Sequence, residues 1–154
     1  MKLYELKTNQ FIRITAEEAW AFFSSPKNLQ LLTPEYMGFE IKSELNDKMY
    51  AGQIISYIVR PILNIPMSWV TEITHVEELK YFVDEQRFGP YKFWHHKHFI
   101  KIVDGGIEME DIVHYGLPFG FIGRIVNYFI VRKKLEQIFS YREEKIKQIF
   151  NASQ

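Results

Sequence analysis

Along the first three quarters of the chain apolar and polar side chains alternate with a period of two, and beyond Pro118 the period lengthens to three or four. From Lys2 to Ile14 the alternation puts Leu3, Glu5, Lys7, Asn9, Phe11 and Arg13 on one side and Tyr4, Leu6, Thr8, Gln10, Ile12 and Ile14 on the other, which predicts a strand. Thr15 followed by Glu18 is a capping box and predicts a short helix from Ala16 to about Phe23. Ser25-Pro26 repeats the signal as an N-cap with proline at the first helical position, predicting a second short helix through Leu32.

The next segments, Gly38 to Glu44, Gly52 to Val59, Met67 to His75, Lys80 to Gln86, Tyr91 to Val103 and Ile107 to Tyr115, are rich in Ile, Val, Tyr, Phe and Trp and predict strands. Turn chemistry separates them at Asn46-Asp47, Pro61 to Pro66, Glu77-Glu78, Gly89-Pro90 and, most strongly, Asp104-Gly105-Gly106. Strands in meander order need no crossover, so the seven-stranded sheet is expected to be antiparallel. Ile122, Ile125, Phe129, Leu135, Ile138, Phe139, Arg142, Ile146 and Ile149 then follow helical spacing and predict one helix from about Phe119 to Phe150, laid on that sheet. Its other side carries Arg132, Lys133 and Lys134, read as a solvated face, and Asn151 to Gln154 read as a frayed tail.

A chain of 154 residues with 47% apolar and 16% aromatic side chains can bury one core without staples and fits a single domain. Lysine plus arginine and aspartate plus glutamate number 19 each, so the broad positive field that favours nucleic acid is missing. Without cysteine, disulfides, thiolate nucleophiles and cysteine-based zinc sites are excluded, and a cytoplasmic home is the simplest expectation. No apolar run approaches the roughly 20 residues of a bilayer span, so no stable membrane insertion is expected.

The densest chemistry lies between Asp84 and His98. If the arm after Pro90 is a strand, Trp94, His96, His98, Ile100 and Ile102 share one face, and Phe93, His95, Lys97, Phe99 and Lys101 the other. The first set matches Phe82, Asp84 and Gln86 on the strand before and Met109, Asp111, Val113 and Tyr115 on the strand after. The second meets Glu108, Glu110, Ile112 and His114, a pattern suited to water, so the His96, His98, Asp111 face is expected inward. A two-residue turn at Gly105-Gly106 sets Asp111 diagonal to His98, and a turn two residues longer sets them opposite.

The order of strand, two short helices, six strands and a long amphipathic C-terminal helix resembles the START-like, helix-grip or SRPBCC superfamily. That resemblance implies an α+β fold whose curved seven-stranded antiparallel sheet wraps the long helix around a hydrophobic cavity. The spacing of Phe82, Asp84, Gln86, Gly89-Pro90-Tyr91, Trp94, His96, His98, Met109, Asp111, Val113 and Tyr115 is similar to that of a bacterial ligand-binding or polyketide-cyclase-like subgroup. It implies a pocket and not a reaction.

The expected function is therefore binding of a small hydrophobic or amphipathic molecule, a lipid or an aromatic metabolite, with Phe82, Asp84, Gln86, Trp94, Met109, Val113 and Tyr115 as ligand contacts. The alternative is a cofactor-independent cyclase, dehydratase or hydrolase, with His96 or His98 as general acid/base oriented by Asp111. A plainer reading makes the same residues a polar network that fixes strand register. Neither a cofactor nor a metal is called for, since His-x-His on a strand fixes no third ligand by its spacing.

Overall fold

In the computed structural model, which describes residues 1–44, 46, 48–61 and 64–151, the strand predicted at the N-terminus is β1, Leu3–Ile12. Helix α1, Ala16–Phe23, follows, and its capping box is formed as the sequence predicts. The Thr15 hydroxyl accepts from the Glu18 amide at 3.1 Å, and the Glu18 carboxylate accepts from the Thr15 amide at 2.8 Å.

The second predicted helix is only a 3₁₀ turn, Pro26–Leu29, followed by another, Glu35–Met37. Ser25 makes no side-chain cap bond there. Asn28 instead turns its amide back to the Phe22 carbonyl at 2.9 Å, tying the segment to the end of α1.

Six further strands follow: β2 Glu40–Ile41, β3 Gln53–Val59, β4 Met67–Glu77, β5 Tyr81–Phe88, β6 Phe93–Val103 and β7 Gly106–Gly116. All pair antiparallel in the order β1-β7-β6-β5-β4-β3-β2, so the N-terminal strand lies beside the last one. The strand expected over Gly38 to Glu44 shrinks to two paired residues at the sheet edge. Register shifts at Val70/Thr71 and Ile73/His75 interrupt the β4–β5 ladder, and such bulges bend a sheet. The predicted Asn46-Asp47 turn, the Pro61 to Pro66 loop and the C-terminal tail fall partly outside the described residues.

The β6–β7 turn is two residues long but sits at Asp104-Gly105, one position earlier than Gly105-Gly106. Gly105 takes φ 80°, which L side chains rarely adopt, while Val103 pairs with Gly106. His98 therefore stands directly opposite Asp111. The inward face is the predicted one: Trp94, His96, His98, Ile100, Met109, Asp111, Val113 and Tyr115 are all buried. Ile102 is not, since it lies near the hairpin tip in solvent.

Beyond Pro118 the helix is built in three parts: α2 Gly120–Val126, a π-helical turn Asn127–Val131, and α3 Arg132–Asn151. Buried Asn127 opens the wide turn. Only α3 follows the predicted stripe into the core, through Leu135, Phe139 and Ile146. Ile122, Ile125 and Phe129 are expected on the packed face but are exposed, α2 packing mainly on the wide turn that follows it.

Ile107, Met109, Val113 and Ile146 are the largest fully buried side chains and fasten α3 to the sheet. Each contributes about 1.5–3 kcal/mol by leaving water. Among the described residues, no helix is long and apolar enough to cross a membrane.

Candidate functional site

Between sheet and C-terminal helix lies a cavity of about 540 Å³, within the roughly 300–1,000 Å³ usual for small-molecule pockets. Ile55, Tyr57, Val59, Trp69 and Ile73 of β3 and β4 form one wall, and Leu135, Ile138 and Phe139 of α3 face them. Phe22 and Phe23 of α1 close one side, and Phe119, Ile122 and Val126 stand at the start of the helical region. Inside this apolar lining, Tyr57 shares a hydrogen bond of 3.0 Å with Thr71, and burial pushes the Tyr57 phenol well above its usual range.

The lining also carries polar groups, among them Ser25, Asn28, Thr33 and Lys134, and its acid–histidine cluster is Asp84, His96 and His98 with Arg142 beside it. β5–β6 pairing sets Asp84 opposite His96 and Phe82 opposite His98, while β6–β7 pairing sets His98 opposite Asp111. Asp84 Oδ2 lies 2.7 Å from His98 Nε2 and 3.3 Å from His96 Nδ1. Asp111 Oδ1 lies 3.2 Å from His96 Nε2 and 2.7 Å from His98 Nδ1. Each imidazole is thus held between two carboxylates, with ring centroids 3.7 Å apart.

Neighbouring groups fix the outer oxygens. The Trp94 indole donates to Asp84 Oδ1 at 3.2 Å, and Arg142 Nε lies 3.5 Å from Asp111 Oδ2. Phe82 stacks on His98 at 4.1 Å, and Phe139 meets His96 edge-on.

Burial alone would raise the Asp84 carboxyl, but charge and hydrogen bonds from His96 and His98 hold it below the usual carboxylate range. Burial would likewise raise Asp111, yet Arg142 and the two histidines keep it well below its ordinary value. His96 shows the reverse contest: desolvation opposes its charge, and Asp84 and Asp111 win, so its pKa is raised. One ligating atom each from Asp84, His96 and His98 can be chosen so that all lie within 4.8 Å of one another, the spacing of a group that could hold a metal ion among the described residues.

Of the residues expected as contacts, Phe82, Asp84, Trp94, His96 and His98 line the cavity. Asp111 stands behind the histidines and Met109, Val113 and Tyr115 lie in the packed core. Gln86 is placed elsewhere: its amide donates to the Tyr91 carbonyl at 2.6 Å and accepts from the Tyr91 amide at 3.2 Å. It clamps the Gly89-Pro90-Tyr91 turn and has no reach left for a ligand.

Arg142 has no role in the sequence reading, although its signal was visible as a cation within an apolar stripe. Tyr57 and Thr71 have no role there either, and Trp69, read as core, lines the cavity. Two-fold alternation in β3, with Gln53, Ile55, Tyr57 and Val59 buried, was the available signal.

No family model matches the chain, and no curated protein does. Solved structures do. A START superfamily protein from Mycobacterium smegmatis superposes with a TM-score of 0.69 at 14% identity, covering 94% of this chain and 98% of that one. A protein from Chromobacterium violaceum gives 0.69 at 14% identity, covering 95% and 96%. A point mutant of norcoclaurine synthase from Thalictrum flavum, in complex with a transition-state analogue, gives 0.67 at 14% identity, covering 96% of each chain. The chain has the START-like, SRPBCC helix-grip fold.

Proposed function

We propose, from the START-like helix-grip fold of this chain, that it is a single ligand-binding domain whose cavity takes a small hydrophobic or amphipathic molecule, a lipid or an aromatic metabolite. The observation that carries the proposal is the 540 Å³, mostly apolar cavity with a cluster of ionisable groups, Asp84, His96, His98 and Arg142, in its lining. An apolar body packs among Ile55, Trp69, Ile73, Ile138 and Phe139, and a polar end of the ligand meets the cluster. The neighbour in complex with a transition-state analogue supports this reading by showing that the fold accommodates small molecules.

Native mass spectrometry and solvent extraction of the purified protein test it. The expected result is a copurified apolar molecule, or saturable quenching of tryptophan fluorescence by added fatty acids or polycyclic phenols. Ile73→Trp, which fills the cavity from β4, should abolish both while leaving the fold intact. Absence of any bound or titratable small molecule in wild-type protein would leave the register-fixing network as the reading.

A second reading is cofactor-independent cyclase, dehydratase or hydrolase chemistry, favoured by one observation. His96 and His98 face the cavity while Asp111 holds them from behind, as a general acid/base and its orienting carboxylate must be placed. Turnover of a captured ligand that survives chelation and is lost in His98→Gln, with binding retained, would establish it.

A further inference from the structure

The histidine–carboxylate ring has a proton inventory that its side chains alone do not balance. Four nitrogens approach carboxylate oxygens at 2.7–3.3 Å. A carboxylate only accepts, and a neutral imidazole has a single N–H. Two neutral histidines therefore leave two nitrogen lone pairs facing oxygen lone pairs. The conflict is sharpest at His98 Nδ1, which is buried without a hydrogen bond yet lies 2.7 Å from Asp111 Oδ1. Supplying the missing donors as protons would need two imidazolium rings 3.7 Å apart, out of water, where like charges repel. One divalent cation on the cavity side does the same work without that repulsion.

We propose that Asp84 Oδ2, His96 Nδ1 and His98 Nε2 form a binding site for a divalent first-row transition cation, with Asp111 orienting both histidines from behind. Metal–nitrogen and metal–oxygen bonds of about 2.0–2.2 Å place neighbouring ligand atoms about 3 Å apart. The observed 2.7 and 3.3 Å from Asp84 Oδ2 to the two nitrogens bracket that spacing. With those nitrogens on the metal, His96 Nε2 and His98 Nδ1 both donate to Asp111 Oδ1, the carboxylate–histidine–metal relay that orients such ligands. A turn of the His98 ring within its broad χ2 well aligns the second of these bonds.

The outer shell is already built. Trp94 holds the free oxygen of Asp84, and Arg142 faces the free oxygen of Asp111. All three ligands line the cavity whereas Asp111 does not, so the remaining coordination positions open toward the cavity. A donor set of two imidazoles and one carboxylate with open positions suits Zn²⁺, Fe²⁺ or Co²⁺. The site stands whether or not the cavity also holds an organic molecule.

Titration of chelator-treated, folded protein with Co²⁺ near neutral pH tests it, read by visible absorption and by calorimetry in buffers of different ionisation enthalpy. The expected result is one Co²⁺ per chain with release of protons, at least tenfold weaker binding in Asp84→Asn and in His98→Gln, and about 10–100-fold weaker binding in Asp111→Asn. Failure of the wild-type protein to take up stoichiometric Co²⁺ would overturn the proposal. So would uptake unchanged in Asp84→Asn and His98→Gln, which would assign it to His75, His95 or His114. Should those variants not fold, nitrogen NMR of wild-type protein with Zn²⁺ decides: His96 Nδ1 and His98 Nε2 shift if the proposal holds and stay in place if it is wrong.

The mouth of the cavity carries an unrelated feature. From Phe119 to Ile130 the chain exposes Phe119 (80%), Phe121 (67%), Ile122 (64%), Tyr128 (75%) and Phe129 (69%), an apolar face with no protein partner among the described residues. Between Asp111 and Glu136 the sequence has Arg124, Arg132, Lys133 and Lys134 and no acid, in a chain whose overall charge is zero. Arg124 lies over the ring of Phe121, 5.6 Å from its centroid, so a cation and an aromatic side chain of this face sit together; Lys134 lies over Tyr36 at 4.7 Å, and Arg132 pairs with Glu136 at 3.0 Å. A second copy docking by the same face would bring cations against cations.

From this charge complementarity we infer that the face docks peripherally on an anionic lipid bilayer, aromatic side chains at the headgroup level and the cavity mouth toward the lipid. Cosedimentation with phosphatidylcholine vesicles, with and without phosphatidylserine, tests it. Binding is expected only to the anionic vesicles, weakening with salt, and falling at least tenfold in the Phe121→Glu, Phe129→Glu double variant, whose residues lie outside the cavity lining. No binding to anionic vesicles, or equal binding by the variant, overturns it. A wild-type dimer that the variant dissolves, with no vesicle binding, would assign the face to a second copy.

Discussion

Arg142 on α3 and Asp111 on β7 meet at 3.5 Å, both largely buried, so charge as well as packing ties the last helix to the strand behind the histidines. Breaking a buried pair from one side strands the other charge out of water. Arg142→Met is expected to lower unfolding free energy by about 3–5 kcal/mol, and adding Asp111→Asn to recover part of the loss. Urea denaturation of the two single variants and the double variant checks this, and strict additivity would deny the coupling.

On the outer face, Glu110 pairs with Lys7 at 2.5 Å and with Lys101, and their hydrogen bonds hold its carboxyl below its usual value. Because the folded value is the lower one, the stabilisation is complete above the ordinary glutamate range. It is lost as pH falls through the folded value. Glu110→Gln should cost about 0.5–1 kcal/mol near neutral pH, the two lysines being half-exposed. Stability curves for the two proteins should converge in acid. A gap that widens as pH falls would contradict the assignment.

At the start of α1, the reciprocal bonds between Thr15 and Glu18 satisfy two amide donors. Thr15→Ala should destabilise the protein by about 1 kcal/mol. Thr15→Asp, which keeps an acceptor at the same place, should retain most of that stability in thermal unfolding.

Gly123 sits where α2 passes the chain before it, and a Cβ added there would fall 2.1 Å from the Pro118 carbonyl oxygen. Gly123→Ala must displace backbone and is expected to cost about 1–3 kcal/mol. Hydrogen exchange should localise the loss to residues 118–131, and a uniform loss over the sheet would refute that placement.

Much of this architecture is legible in the chain because strand periodicity is unforgiving. A one-residue slip turns every side chain over, so the choice between His96/His98 and His95/Lys97 as the inward set could be made from the neighbours of each. The capping box at Thr15 was equally readable, being a local contest between a side chain and orphan amides. Distances across strands were not. Whether Asp111 lies beside or opposite His98 turned on one position in the Asp104-Gly105-Gly106 turn, and Asp84 reaches both histidines only through the β5–β6 register. Ser25-Pro26 has the local signature of a helix start, yet Asn28 bonds back to α1 and only a 3₁₀ turn forms. The stripe from Ile122 to Phe129 has core periodicity but stays exposed, and periodicity cannot report whether a partner exists.

The pairing of Leu3 with Gly116 gives the chain a direction in time as well as in space. β4 to β7 are neighbours in sequence and can form hairpin by hairpin, each closing a short loop. β1 has its partner at the far end of the sheet-forming sequence, so its ladder bears a large loop-closure entropy and waits for β7. During ribosomal synthesis the first strand made is thus among the last to be paired, and its backbone donors stay open until the final hairpin exists. Pulse-labelled hydrogen exchange during refolding should show β6 and β7 amides protected before those of β1, and simultaneous protection would refute this order.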